Sequence, residues 1–137
     1  MNDSSHTQAE ILLIKAAEDE SILASDGIPE SIFGFHAQQA AEKLIKALLS
    51  ARLISFELTH NLDRLQMALE AAGETLPATP LPLDELSDFA VIYRYDLLFQ
   101  VAAPEKAELI ATVRLIREHV VARINALSAV PQPPPLQ

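Results

Sequence analysis

Four histidines, His6, His36, His60 and His119, are the side chains whose ordinary protonation change lies near neutral pH. They show no His-x3-His or other paired ligand spacing, so no metal site is expected. The chain has no cysteine, which excludes a thiolate metal site, a disulfide scaffold and a cysteine nucleophile. Gly27, Gly34 and Gly73 are isolated, so no phosphate loop is present, and the residues call for no cofactor. What is left is proton transfer by histidine and the holding of anions by cations. Arg94, in the run Tyr93-Arg94-Tyr95-Asp96, can hold a phosphate through its planar fork. It can instead pair with Asp96 or with an acid on a neighbouring helix. His36, Gln39, Lys43 and Lys46 form one polar line at spacings of three and four. Either the line meets a nucleotide or a partner's acidic surface, or it is an ordinary solvated face with Glu42 and Lys46 paired at i,i+4. His60 precedes an apolar repeat, where it can cap backbone donors, make a buried hydrogen bond or touch a neighbour.

Arg114 and His119 are also separated by four residues, but on a regular helix they point about 140° apart at ~100° per residue. Their spacing reads as coincidence on a solvated face. His6 falls in a terminus expected to fray.

The 137 residues amount to about one domain, and half of them are apolar, which is enough for one substantial core. Leu and Ala dominate and there are three glycines, favouring helices over strands. No apolar run approaches the ~20 residues that cross a bilayer. Met1 to His6 places no basic residue before an apolar stretch, unlike a signal peptide. An intracellular, soluble, cytoplasmic protein is therefore expected. The net charge of −9 disfavours non-specific nucleic-acid binding, whose sequence-independent part is attraction to phosphate. The charge is uneven. Residues 1–30 hold seven acids and one base, and 74–100 five acids and one base; 40–64 and 104–123 each hold four bases against three acids. An anionic ligand should prefer the second and last helical segments.

Periodicity places five helices. In 8–25, Leu12, Ala16 and Leu23 make a stripe beside Leu13, Ala17 and Ala24, with Glu18, Asp19 and Glu20 expected on the outward side. Asp26-Gly27-Ile28-Pro29 ends it. The strongest pattern covers 29–53, where Phe33, Ala37, Ala40, Leu44 and Leu48 recur, widened by Ala41 and Ile45. After a link at 54–58, Thr59 is the expected cap of a third helix carrying Leu62, Leu65 and Leu69, with Gly73 as its stop. Three prolines make 75–82 a loop. Leu83, Leu86, Phe89, Ala90 and Tyr93 begin a fourth helix that should weaken near 100–103. Pro104-Glu105 opens a fifth, striped by Ile110, Val113, Ile116, Val120, Ile124 and Leu127. The expected fold is all-α, an antiparallel four- to five-helix up-and-down bundle over 1–128, with 129–137 a flexible Pro-rich tail.

Three segments carry a family resemblance. Phe35-His36-Ala37-Gln38-Gln39-Ala40-Ala41-Glu42-Lys43-Leu44-Ile45-Lys46-Ala47-Leu48-Leu49 resembles the second helix of HEPN domains (higher eukaryotes and prokaryotes nucleotide-binding). Thr59-His60-Asn61-Leu62, followed by Leu65, is similar to the family's Thr-His-Asp-Leu segment, and Tyr93-Arg94-Tyr95-Asp96 to its Arg-Tyr-Pro/Asp segment. The resemblance spans roughly residues 10–125. It implies a helical bundle working as a homodimer, often encoded beside a minimal nucleotidyltransferase in toxin–antitoxin or defence systems. Members with ribonuclease activity carry an arginine followed after four to six residues by histidine, in a cleft between protomers. Cleavage by the RNA's own 2′-hydroxyl needs a proton carrier near neutral pH and a fixed cation, which His and Arg supply.

This chain departs from that pattern. Arg94 is followed by Tyr95, Asp96, Leu97, Leu98, Phe99, Gln100 and Val101, and Gln100 cannot titrate. The expectation is a non-catalytic HEPN-domain protein that binds a nucleotide or a nucleotidyltransferase partner. The ligand-binding candidates are Arg94, Tyr95, Asp96, His36, Lys43, Lys46 and His60. The alternative is a metal-independent endoribonuclease in which Arg94 works with His60 or His119.

Overall fold

Thr7 starts the first helix with a reciprocal cap. Its Oγ1 accepts from the Glu10 amide at 3.1 Å, and Glu10 Oε1 accepts from the Thr7 amide at 3.2 Å. Helix α1 then runs Gln8–Leu23. The computed structural model describes residues 7–92 and 105–128, without the side chains of 88–92. Gly27, at φ +74°, turns the chain back, and α2 covers Glu30–Ala51 behind Pro29. Helices α3 (Leu62–Ala71), α4 (Leu83–Ile92) and α5 (Lys106–Ser128) follow. The described residues are all helix and connection, as the leucine- and alanine-rich composition predicts.

Helix α2 is the axle of the bundle and packs against each of the other four. Its contact with α1 is antiparallel: a short turn joins the two helices, and Asp19 near the end of α1 meets His36 in the first half of α2. Twelve of its 22 residues are buried, too many for a single stripe. Leu44, Ile45, Leu48 and Leu49 are fully buried there, each contributing roughly 1.5–3 kcal/mol relative to exposure. Leu62, Leu65 and Leu69 of α3, Leu86 of α4, and Leu109, Val113, Ile116 and Val120 of α5 complete the core. The fifth helix's apolar stripe therefore begins one turn before Val113, at Leu109, and Ile124 and Leu127 lie at its half-buried margin.

Side chains tie the connections down. Thr112 is buried, and its Oγ1 accepts from the Leu81 amide at 3.1 Å, pinning the proline-rich loop to α5. Lys106 donates to the Ile28 carbonyl at 2.7 Å, with its ammonium 5.1 Å from the Phe33 ring centre. Helices α2 and α3 both end in a 6→1 backbone bond, from Ile54 to Leu49 and from Glu74 to Leu69. The left-handed residue in α3's ending is Gly73 (φ +86°), but in α2's it is Leu53 (φ +59°), whose side chain is 92% exposed.

Two local expectations need correction. The side-chain cap of α3 is Asn61, whose Oδ1 accepts from the Arg64 amide at 3.2 Å; Thr59 instead accepts from the Asn61 amide at 3.1 Å and holds the cap itself. Asp19 does not face outward. It sits three residues after Ala16 and four before Leu23, so helical geometry turns it onto the buried stripe. The tail 129–137 and the far end of the fourth helical segment lie outside the described residues.

Candidate functional site

The polar line on α2 is not an open face. His36 Nδ1 lies 2.7 Å from Asp19 Oδ1, and Lys43 donates to Asp19 Oδ2 at 2.5 Å. One α1 carboxylate thus engages two members of the line. A buried carboxylate needs such partners, because desolvation alone would favour its neutral form.

Of the rest of the line, Gln39 donates to Gln38 Oε1 at 2.8 Å, and Lys46 joins Gln38 and His60 around Glu42, whose side chain is 5% exposed. Lys46, one turn on, donates to Oε2 at 2.8 Å, which is the i,i+4 pair the sequence anticipates. Gln38, one turn back and fully buried, donates to Oε1 at 3.1 Å. His60, from the segment before α3, places Nδ1 2.9 Å from the same oxygen. Burial pushes the Glu42 carboxyl up, but bonds from Lys46, His60 and Gln38 outweigh it and hold the group below the ordinary carboxylate range.

Gln38 does a second job. Its Nε2 also donates to the His60 carbonyl at 3.0 Å, so one amide grips both the histidine's backbone and the carboxylate that holds its ring. Ser87 of α4 closes the far side: its Oγ accepts from the Leu62 amide at 3.1 Å and donates to the His60 carbonyl at 3.4 Å. The His60 side chain is nonetheless 78% exposed. With Nδ1 turned to Glu42, Nε2 is the ring atom left to solvent or ligand. An imidazole anchored this way is oriented for accepting or donating one proton at Nε2.

The structure brings His36 and Lys43 together through Asp19, and Lys46 and His60 together through Glu42. Arg94, Tyr95 and Asp96 lie outside the described residues. His119 does not join either cluster; its Nε2 is buried without a hydrogen-bond partner among the described residues. Among those residues, no three metal-capable side chains converge. No helix among them is long and apolar enough to cross a membrane.

Sequence reasoning missed Asp19, Gln38 and Ser87 as organisers and read Glu42 only as the partner of Lys46. A signal was present for all but Ser87: Asp19 stands three residues after Ala16 and four before Leu23, on the apolar stripe of α1. Gln38 and Glu42 fall at i and i+4 between Ala37, Ala41 and Ile45, inside the apolar face, where an unpaired polar side chain would be costly. Nothing comparable marks Ser87, which acts across 25 to 27 residues of chain.

A family model described as HEPN domain matches residues 10–124. No curated protein and no solved structure matches the chain.

Proposed function

We propose a role for this chain from the premise that it belongs to the HEPN domain family. It is a non-catalytic binding subunit, a homodimer that engages a nucleotide or a minimal nucleotidyltransferase in a toxin–antitoxin or defence-type system. The supporting observation is where its charge lies. Among the described residues, seven lysines and arginines are paired with carboxylates: Lys15, Lys43, Lys46, Arg52, Arg64, Arg117 and Arg123. Lys106 is bound to a carbonyl, which leaves Arg114 alone without a partner. Against that single free cation, Asp26, Glu30, Asp63, Glu70, Asp84, Glu85, Glu105, Glu108 and Glu118 are exposed with no basic partner. Such a surface attracts a basic protein and repels a long phosphate backbone. The absence of histidine after Arg94 points the same way.

The test is thermal. A melting temperature raised by a nucleoside mono- or triphosphate supports nucleotide binding. A melting curve indifferent to every nucleotide, in a protein that also captures no nucleotidyltransferase from its native host, overturns the reading.

One observation favours a second reading, metal-independent RNA cleavage: the exposed His60 ring anchored on buried Glu42. In that reading Arg94 holds the scissile phosphate and His60 Nε2 moves the proton. Cleavage of single-stranded RNA in the presence of a chelator, lost in both Arg94→Ala and His60→Ala, supports it. An Arg94→Ala protein that cleaves as fast as the parent disposes of it.

A further inference from the structure

Two leucines stand almost wholly in solvent at the end of the bundle where α1 begins and α2 and α5 finish: Leu53 is 92% exposed and Leu58 99%. Leu53 is also held in the left-handed region, at φ +59°, where such a helix ending favours glycine. An apolar side chain kept at a strained, solvated position points to a use outside the fold. Both leucines border a groove. A cleft of about 650 Å³ lies between the first turns of α1 and the last turns of α5, with Leu13, Ile124 and Leu127 along it and Leu53 at its edge. A second, of about 430 Å³, runs from Leu53 to Phe56 and Leu58. Gln8, Ser50 and Leu53 line both, so the two clefts are continuous.

Charge decides what fits there. Among the residues lining the two clefts Glu10 is the one charged side chain, and it is closed into the cap on Thr7. The exposed acids that would draw a basic partner line neither cleft. Two copies of a chain with net charge −9 repel one another through their acidic surfaces, so self-association needs a face without unpaired charge. A two-fold pair also needs a projecting part and a receiving part on one face, because each copy must offer both. This face has both, an exposed leucine beside an apolar cleft. Resting on the homodimer of the reading given above, we infer that a second copy of the chain seats on this face. Leu53 of each protomer enters the α1–α5 cleft of the other, against Leu13, Ile124 and Leu127, and Leu58 closes the rim.

Sedimentation velocity of the full chain over a dilution series tests this, with Leu53→Gly, Leu58→Ser and Ile14→Ser run beside the parent. The parent is expected as a dimer that dissociates on dilution. Each change at 53 or 58 removes two leucines from a symmetric interface, so each should raise the dimer dissociation constant at least ~100-fold. Ile14→Ser, at an exposed position of α1 outside both clefts, should leave it unchanged. Helix content by circular dichroism should match throughout. In dilute monomer Leu53→Gly should unfold no sooner than the parent, which separates a lost contact from a damaged fold. A dimer undiminished by Leu53→Gly overturns this face and leaves the homodimer standing. A parent that stays monomeric at every concentration overturns both. A monomer whose capture of a nucleotidyltransferase is lost in Leu53→Gly assigns the face to that protein and equally overturns the second copy.

Discussion

Glu74 joins three elements that share no sequence neighbourhood, so its removal should register far beyond one residue. It follows Gly73 at the end of α3, and its side chain is 4% exposed. Arg123 of α5 donates from Nε to Oε1 and from Nη2 to Oε2, both at 3.0 Å. Arg52, capping α2, donates from Nη1 to Oε2 at 2.5 Å and from Nη2 to the Ala72 carbonyl at 3.3 Å. The bonds from Arg123 have the largest influence; burial opposes them, Arg52 adds to them, and the carboxyl is drawn down from 4.5 to about 2. At about 1.4 kcal/mol per pH unit, that depression corresponds to about 3.5 kcal/mol of stability as a ceiling. Solvent reaches both guanidiniums, so screening brings the expected value nearer 2 kcal/mol. The sign follows from the direction. A carboxyl depressed on folding stabilises the protein above its unfolded value of 4.5, and that contribution drains away as pH falls toward 2. Glu74→Gln should therefore cost about 2 kcal/mol in urea unfolding at pH 7. The gap between mutant and parent should close as the titration is carried down through pH 4.5 to pH 2. A mutant equally destabilised at pH 7 and pH 2 would refute the electrostatic account and leave only lost packing.

Three further substitutions probe the same structure. Leu53→Gly should stabilise by about 0.5–1 kcal/mol, since a left-handed backbone strains leucine but not glycine and this leucine's exposed side chain gives up little on removal; a drop in melting temperature would contradict it. Ser50→Ala should raise stability by about 1 kcal/mol, because the Ser50 hydroxyl is buried without a hydrogen-bond partner among the described residues, and denaturant midpoints read the change. Glu42→Gln should lower stability by about 2 kcal/mol by stranding the largely buried Lys46 ammonium. Lys46→Met should restore part of that loss in the double variant, and a double variant that merely sums the two losses would show that Glu42 and Lys46 are not coupled.

Helix positions were legible because leucine and alanine recur at helical spacing and because Gly27, Gly73 and the prolines of the 75–82 loop mark the breaks. The apolar faces of α2 and α3 follow from the same periodicity. The internal ion pairs were less legible, for a physical reason. A charged residue at a surface position and one at a buried position look alike until the partner is known, and partners such as Asp19 and Lys43 lie 24 residues apart. Asp19 was misread as outward for this reason, although its place between Ala16 and Leu23 carries the correction. The left-handed leucine at 53 was hidden because the α2 ending does not use the glycine such endings favour. His60 was visible as a candidate, but not the Gln38, Glu42 and Ser87 arrangement that holds it. The Arg94-Tyr95-Asp96 expectation lies outside the described residues, so its weight rests on the residue types alone.

The most direct test of the binding-subunit account is affinity capture of the tagged full chain from its native host, with captured proteins identified by mass spectrometry. The account predicts a nucleotidyltransferase recovered in stoichiometric amount and released by raised salt, as expected for a basic partner on an acidic surface. Recovery of the chain with no nucleotidyltransferase at low salt would contradict the protein partner, and with a melting curve indifferent to nucleotides it would overturn the account.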